Sequence, residues 1–174
     1  MVRIRCIEEA DLDAVLRIQD QCYVEITPES LVSLRAKILA SPGTCFVAET
    51  AAAGVFGYLI AVPVRYPELP ALDARTFEPS MGADTLYIHD LAVAQAGRGT
   101  GAARSLVNCG MNAARSQGLR AACLVAIQGS VRYWEQFGFE MVAAPSTGVA
   151  RKLASYGAAA QLMRTDRAPP SGVR

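Results

Sequence analysis

The amino-acid sequence predicts an α/β fold whose sheet contains at least one parallel strand pair. Strand and helix patterns alternate from Thr85 to Phe137, which is typical of strands joined by right-handed crossover helices. Two segments rich in β-branched and aromatic residues, 44–50 and 55–66, flank a small-residue turn and predict an antiparallel hairpin. A chain of 174 residues with 52% hydrophobic residues can bury the core of one domain. We therefore expect a single domain over residues 1–165.

The first elements follow from apolar spacing and capping residues. Residues 2–7 alternate as in a strand, and residues 8–19 have the apolar spacing of a helix. Thr27, followed by Pro28 and Glu29, predicts the N-cap of a second helix that ends near Ala40. After the hairpin, the proline-bearing segment 66–84 has little periodicity and predicts a long loop of the kind that often borders a site.

The second half of the chain predicts the parallel pair and its helices. Its predicted strands are 85–93 and 121–128, with helices over 99–117 and 130–137. Two short late strands are predicted over 140–144 and 158–164. The tail, 166–174, is rich in proline and charge, and we expect it to be disordered.

Composition and charge argue against several classes of function. Seventeen basic residues against 16 acidic ones provide no basic surface for nucleic acid, so we expect no nucleic-acid partner. The charged N-terminal segment is unlike a signal peptide, and the longest apolar run, 54–64, is too short to span a bilayer. Five cysteines without a CxxC spacing favour free thiols, a cytoplasmic protein and no metal site.

A glycine-rich turn between a strand and a helix is the strongest chemical motif. In the stretch HDLAVAQAGRGTGAARSLV, from His89 to Val107, such a turn lets backbone amides approach an anion at a helix N-terminus. A nucleotide-binding P-loop does not fit because no lysine follows the last glycine, and the spacing of a Rossmann fingerprint fails at Arg104. The turn therefore predicts a phosphate site of another type.

Two motifs resemble those of the GCN5-related N-acetyltransferase (GNAT) superfamily. Residues 98–103, RGTGAA, match its acetyl-CoA signature Q/R-x-x-G-x-G/A after a strand that ends in Leu91, Ala92 and Val93. Residues 133–139, YWEQFGF, resemble the family's later motif of aromatic residues, Glu, Gly and Phe. The resemblance implies a mixed, mostly antiparallel sheet with a splayed parallel strand pair and flanking helices. It covers nearly the whole chain.

The resemblance implies that acetyl-CoA is the acyl donor. The pyrophosphate needs convergent amide donors, and the turn supplies them together with the charge of Arg98. The family's strand bulge opens a gap in which backbone groups of Leu91 and Val93 bind pantetheine and the thioester oxygen. The implied cofactor-binding residues are Leu91, Ala92, Val93, Arg98, Gly99, Thr100, Gly101, Ala102, Ala103, Ser130 and Trp134.

A proton acceptor is needed because only a neutral amine attacks a thioester. Strand alternation places Tyr87 and His89 on one face and Asp90 on the other, and the resemblance puts the active site on the face of His89. Histidine suits base catalysis near neutral pH, so His89 is the first candidate. A histidine bonded inside the sheet or paired with Asp90 is the alternative. Asp90 becomes the base if a bulge shifts the register.

The proton donor to the leaving sulfur is less clear from the motif. Where the family usually has a tyrosine, this chain has Trp134, whose indole cannot supply the proton. Tyr133 is adjacent but about 100° away around a helix, and Ser130 is another possible donor. A thiol with a reference pKa of about 8.5 can also leave without an acid.

The acceptor is expected to be a primary amine of a small molecule or peptide, acetylated by direct attack in a ternary complex. Tyr23, Glu25 and Tyr87 are the candidate acceptor-binding residues. Two alternatives stay open: a CoA-binding module without transferase activity, and an acyltransferase with a cysteine nucleophile. The resemblance also makes a homodimer plausible.

Overall fold

The computed structural model describes residues 1–23 and 27–166. Glu25 and residues 167–174 lie outside the described residues, and with them the predictions of an acceptor contact and of a disordered tail. The strands are β1 (Arg3–Cys6), β2 (Phe46–Thr50), β3 (Gly54–Val64), β4 (Thr85–Val93), β5 (Ala121–Ala126), β6 (Glu140–Met141) and β7 (Gln161–Thr165). The helices are α1 (Leu12–Cys22), α2 (Leu31–Ala40), α3 (Ala102–Ser116), α4 (Val131–Glu135) and α5 (Thr147–Ala154).

The strands form one mixed sheet in the order β1-β2-β3-β4-β5-β7-β6. Strands β4 and β5 are parallel, whereas every other neighbouring pair is antiparallel. The helix α3 connects the parallel pair, as the alternating pattern predicts. The predicted fold class, a mostly antiparallel sheet with one parallel pair and flanking helices, is confirmed.

Helices pack on both faces of the sheet because β3 is apolar on both. Leu59 faces α3 so closely that a Cβ added to Gly110 would lie 2.6 Å from its Cδ2 atom. The next residue along the strand, Tyr58, points to the opposite face, where its hydroxyl meets groups beside the end of α1. Tyr58 and Leu59 are both fully buried, so β3 lies at the centre of the core.

Several helix boundaries differ from the predicted ones. The first helix is a short 3₁₀ turn over Glu9–Asp11 followed by α1. The second begins after Ser30, whose Oγ caps the Ser33 amide at 3.3 Å, and not after Thr27. Helix α3 begins at Ala102 because the glycines before it have positive φ angles. Helix α5, between the two last strands, was not predicted.

A bulge in β4 interrupts the sheet next to the predicted site. Ile60 of β3 pairs with Asp90, but the next residue, Ala61, pairs with Ile88, so His89 is an extra residue in β4. Pairing of β4 with β5 ends at the same level, with Ile88 and Leu124. Within the described residues, β4 continues for five residues beyond this point without pairing to β5. The two parallel strands therefore splay apart, as the resemblance implies.

Candidate active site

A cavity of about 240 Å³ occupies the gap between the splayed strands. Its walls come from the bulged end of β4, the end of β5 and the residue that caps α1. Segments before α2 and around α4 complete it. The residues that line it are Gln19, Cys22, Tyr23, Thr27, Pro28, Glu29, Leu72, Ile88, His89, Asp90, Leu91, Ala92, Val93, Leu124, Val125, Ile127, Gln128, Ser130, Tyr133, Trp134 and Tyr156.

The backbone of β4 presents hydrogen-bonding groups to this cavity. The Ala94 amide donates to the Phe56 carbonyl of β3 at 2.8 Å. Since backbone groups alternate in direction along a strand, those of Leu91 and Val93 point away from β3 and towards the gap. Two side chains of the α1 end reach their carbonyls: the Tyr23 hydroxyl lies 3.3 Å from the Leu91 oxygen, and the Cys22 thiol 3.5 Å from that of Val93.

The glycine-rich turn is open where an anion would approach. Gly99 and Gly101 have φ angles of +77° and +78°, in the left-handed region, and a Cβ at either position would meet no atom within 4 Å. Gly101 caps α3, so the first amides of that helix have no partner within the helix. Thr100 closes the turn through its hydroxyl, which donates to the Gly97 carbonyl at 2.6 Å. Arg98 and Thr100 are exposed at the rim, whereas Ala102 is buried and Ala103 half-buried.

The bulge directs His89 to a buried carboxylate. The Nε2 atom of His89 lies 2.6 Å from Glu29 Oε2, and the two side chains are only 3% and 5% exposed. Glu29 also accepts hydrogen bonds from the Lys37 ammonium and from the Asp73 amide. Burial raises the pKa of Glu29, but the interactions with His89, Lys37 and the Asp73 amide outweigh it and hold that pKa at about 2. The carboxylate is therefore ionised at neutral pH.

Asp90 occupies the same cavity as His89 through separate partners. Alternation predicts that the two lie on opposite faces, but both line the cavity because the bulge adds a residue between paired positions. The Asp90 carboxylate accepts hydrogen bonds from the hydroxyls of Tyr23 and Tyr58. Burial raises the pKa of Asp90, and these two hydrogen bonds act against the rise. The expected alternative pairing of His89 with Asp90 is not what the structure has, since His89 pairs with Glu29.

Tyr133 and Trp134 both face the cavity from α4. The Tyr133 hydroxyl is buried and has no hydrogen-bond partner among the described residues. Burial raises the pKa of Tyr133. Trp134 packs edge-on against Phe139, with ring centroids 5.7 Å apart, and forms an apolar wall. Ser130, the residue before α4, lies at the same end of the cavity. The phenol that was expected to point away is therefore beside the gap.

Tyr87, which the sequence predicts to bind the acceptor, does not line the cavity, whereas Tyr156 does. Tyr87 is fully buried in the second core cluster, and its hydroxyl lies 3.3 Å from that of Tyr156. Tyr156 lines the cavity, so it is the residue of this pair that an acceptor would meet. Burial raises the pKa of Tyr156 to about 12, which keeps it protonated. Tyr23 lines the cavity, and its role in acceptor binding stays a prediction.

Sequence reasoning missed Glu29, Lys37 and Tyr156. The sequence pattern of Thr27, Pro28 and Glu29 predicts only that Glu29 is a favourable acid in the first turn of a helix. A signal was present in Lys37, a lysine on the apolar side of α2 that needs a buried anion as partner. Tyr156 follows a helix that apolar spacing alone did not reveal.

Residues 12–139 match the acetyltransferase (GNAT) family, which is most of the chain, and the chain belongs to that family. No curated protein sequence matches the chain. Among solved structures, it is similar to the loading GNATL domain of CurA from Lyngbya majuscula, with a TM-score of 0.77 and 12% identity over 95% of this chain and 98% of that one. A second similar structure is Rv2747 from Mycobacterium tuberculosis in complex with CoA and NLQ. Its TM-score is 0.70, with 16% identity over 95% of this chain and 99% of that one.

A third similar structure is Arabidopsis thaliana Naa50 in complex with the bisubstrate analogue CoA-Ac-MVNAL. Its TM-score is 0.67, with 14% identity over 95% of this chain and 99% of that one. At these identities the likeness shows the fold, whereas the match to the family model confirms the resemblance drawn from the two motifs. No helix in residues 1–23 and 27–166 is long and apolar enough to cross a membrane. The same residues hold no group of three or more metal-ligating side chains.

Proposed function

We propose that this protein is an acetyl-CoA-dependent N-acetyltransferase that acetylates a primary amine by direct attack in a ternary complex. The observation that carries the proposal is the gap between β4 and β5. It brings backbone groups of β4, a histidine, an aspartate and a phenol to one cavity beside an open glycine turn. A gap of this shape can admit an extended pantetheine chain as an additional strand.

The donor fits the residues that are present. Gly99 and Gly101 leave open space that any side chain would fill, and their turn leads into the N-terminus of a 15-residue helix. We assign the pyrophosphate to this turn and to Arg98, the pantetheine to the backbone of Leu91 and Val93, and the wall beside the acyl group to Trp134. When bound, acetyl-CoA supplies the acetyl group as a thioester.

The reaction forms a carbon–nitrogen bond and breaks the carbon–sulfur bond of the thioester. His89 takes the proton that the attacking amine loses, which histidine can do near neutral pH. A β4 amide stabilises the negative charge that develops on the thioester oxygen. The unpartnered Tyr133 hydroxyl offers a proton to the departing sulfur, with Ser130 as the other donor at that end.

The structure also bears on the alternative of a cysteine nucleophile. Cys22 is the cysteine that lines the cavity. It is the last residue of α1, where the helix dipole disfavours an anion, and burial raises the pKa of its thiol. Both effects keep Cys22 protonated, so they favour direct attack over an acyl-enzyme.

The acceptor site lies where Tyr23, Asp90 and Tyr156 surround the cavity. We propose that it takes a primary amine, from either a small molecule or a peptide. The Naa50 complex, which holds the bisubstrate analogue CoA-Ac-MVNAL, supports a peptide acceptor on the same fold. The carboxylate of Asp90 would favour a substrate that arrives as a cation.

Calorimetric titration of acetyl-CoA and CoA, with NAD and ATP as comparison ligands, tests the donor site. We expect binding of both CoA species to the wild type and its loss in Gly101→Glu, which places an anion in the turn. Gly118→Glu is the matched control: Gly118 also has a positive φ of +74° and open space, but it lies beyond the opposite end of α3. It should bind CoA as the wild type does.

Failure of folded wild type to bind either CoA species would refute the proposal. If acetyl-CoA binds, release of CoA across a panel of small amines and peptides separates the transferase from a binding module. A transferase shows acceptor-dependent CoA release that His89→Ala reduces by about 10²-fold or more, the usual contribution of a general base. Binding without acceptor-dependent release would support the CoA-binding module instead.

A further inference from the structure

Glu29 connects four segments of the chain through buried hydrogen bonds. Its backbone carbonyl accepts from the Gln19 side-chain amide of α1 at 2.9 Å. Its carboxylate accepts from Lys37 of α2 at 3.1 Å and from the Asp73 amide of the loop 66–84 at 2.6 Å. The fourth contact is with His89 of β4, at 2.6 Å. A carboxylate with this many donors has a fixed position and orientation.

Lys37 balances the charge of Glu29. Its side chain is fully buried, and its ammonium donates to Glu29 and, at 2.6 Å, to the Ser33 hydroxyl. A buried charge is costly unless a partner neutralises it, and the two residues together form a neutral pair. The negative charge that Glu29 presents to His89 is therefore balanced by Lys37.

Other groups around His89 come from β3, from β4 and from the segments that follow α1 and α5. Asp90, on the same strand, is held by Tyr23 and Tyr58. The Tyr87 ring packs edge-on against the imidazole with centroids 5.6 Å apart, and its hydroxyl meets that of Tyr156. The tyrosines here have raised pKa values and are neutral, because burial disfavours the phenolate. The permanent charge in direct contact with the ring is therefore that of Glu29.

The two ring nitrogens of His89 have different surroundings. Because Glu29 is ionised, it can only accept a hydrogen bond, so Nε2 must carry the hydrogen. The Nδ1 atom is buried and has no partner among the described residues. In the neutral ring, Nδ1 then has a free lone pair in a residue that lines the cavity.

We propose that Glu29 and Lys37 are positioning residues that fix the Nε2–H tautomer of His89 and thereby leave Nδ1 as the ring nitrogen that can accept a proton. This proposal rests on the proposed function, in which His89 is the base. Glu29 fixes the orientation of the imidazole ring through its hydrogen bond. Lys37 neutralises the negative charge of that carboxylate. Neither residue touches the reacting atoms.

The chain has one histidine, so nitrogen-15 labelling of histidine makes NMR a direct test. We expect the wild type near neutral pH to show a hydrogen on Nε2 that exchanges slowly with water, and an unprotonated Nδ1. Glu29→Ala should lose the slow exchange. A hydrogen on Nδ1 of the neutral wild-type ring would overturn the proposal, and this result needs no variant to fold.

Two substitutions that change the local charge in opposite directions test the roles of Glu29 and Lys37. Glu29→Gln leaves Lys37 as an uncompensated cation, so the midpoint of the His89 titration should fall by about one pH unit or more. Lys37→Met leaves Glu29 as an uncompensated anion, so that midpoint should rise by a similar amount. The double variant should return the midpoint towards the wild-type value. General damage to the fold would not move the two single variants in opposite directions.

The same shifts should appear in the acidic limb of the kcat/KM profile, with kcat lowered and the KM for acetyl-CoA little changed. Midpoints that do not move, or that move in the same direction, would overturn the positioning role. Because NMR titration requires no acetyl transfer, it separates the two proposals. If the expected tautomer is found but no acceptor is acetylated, only the proposed function fails.

Discussion

Tyr58 and Asp90 form a diagonal hydrogen bond across the two central strands, beside the bulge at His89. The Tyr58 hydroxyl donates to Asp90 Oδ2 at 2.6 Å, although Asp90 is paired in register with Ile60. The bond fills the hydrogen-bonding capacity of a fully buried phenol and places a carboxylate at the wall of the cavity. It ties a core residue to the proposed active site.

Tyr58→Phe should lower the free energy of unfolding by roughly 1.5–3 kcal/mol at pH 7, the usual range for a hydrogen bond to a charged group. Burial raises the pKa of Asp90, and loss of this donor raises it further, so the ionised form becomes costlier. The loss should accordingly be larger at pH 7 than at pH 4, because the raised pKa makes Asp90 more protonated at the lower pH. Denaturant unfolding at both pH values measures it.

The control is Tyr87→Phe, which removes a hydroxyl bonded only weakly to another neutral hydroxyl. It should cost about 0.5–1.5 kcal/mol with little dependence on pH. Equal losses for the two variants at both pH values would contradict a charged partner for Tyr58.

Glu29→Gln should destabilise the fold in a pH-dependent way. The folded-state pKa of Glu29, about 2, lies below its ordinary value of 4.5, so the ionised carboxylate stabilises the fold above about pH 4.5. That contribution, of about 3 kcal/mol at 1.4 kcal/mol per pKa unit, is lost as the pH falls towards 2. The difference in stability between wild type and variant should therefore shrink over this window.

Urea unfolding at intervals between pH 6 and pH 2 measures that difference. Asp11→Asn is a useful comparison, since Asp11 also has a lowered pKa, mainly from Arg5, but lies away from the cavity. A constant difference between wild type and Glu29→Gln across the window would show that the carboxylate is not stabilised as an anion.

Gly97→Ala should lower the free energy of unfolding by about 1–3 kcal/mol through overpacking. A Cβ at Gly97 would lie 2.2 Å from Phe56 Cδ2 and 2.9 Å from Val93 Cγ1, inside the core beside the glycine turn. Gly43→Ala is the matched control, because the nearest atom to its Cβ would be 3.7 Å away. Thermal unfolding of the two variants should differ clearly, and a stable Gly97→Ala would refute the tight contact.

Tyr133→Phe should separate catalysis from stability. The hydroxyl has no partner among the described residues, so its loss should leave the melting temperature unchanged or slightly raised. If it protonates the departing sulfur, kcat should fall by about 10²-fold, the lower end for a general acid. Steady-state kinetics with a good acceptor provide the measurement, and an unchanged kcat would assign the proton to Ser130 or to solvent.

The sheet could be predicted from sequence because its signals are local. Alternation over residues 85–93 and helical spacing after Gly101 each determine an element within a few residues. The glycine turn was recognisable for the same reason, since Gly99 and Gly101 lie in one short motif. Predicted strand ends were less accurate: β5 ends at Ala126, before Gln128 adopts a φ of +49°.

The buried centre of the site could not be predicted because its contacts are long-range. The pairing of Glu29 with His89 spans 60 positions, and it depends on one extra residue in β4. Nothing in the residue types around His89 marks the bulge. Period-two alternation therefore places Asp90 on the opposite face. The pattern at Thr27 predicts Glu29 in the first turn of a helix, but in the structure that helix begins only after Ser30.

The hydrogen bond from the loop 66–84 to Glu29 affects how the sequence of this protein can change in evolution. The contact comes from the main-chain amide of residue 73, and the Asp73 carboxylate also accepts hydrogen bonds from the Ser30 amide and hydroxyl. Asp73 has a φ of +52°, which asparagine also adopts readily. Residue 73 thus fixes the loop to Glu29, while Leu72 is the loop residue that lines the cavity. Under the proposed function, the rest of the loop can change its sequence, and with it the substrate, without moving the residue that orients the base.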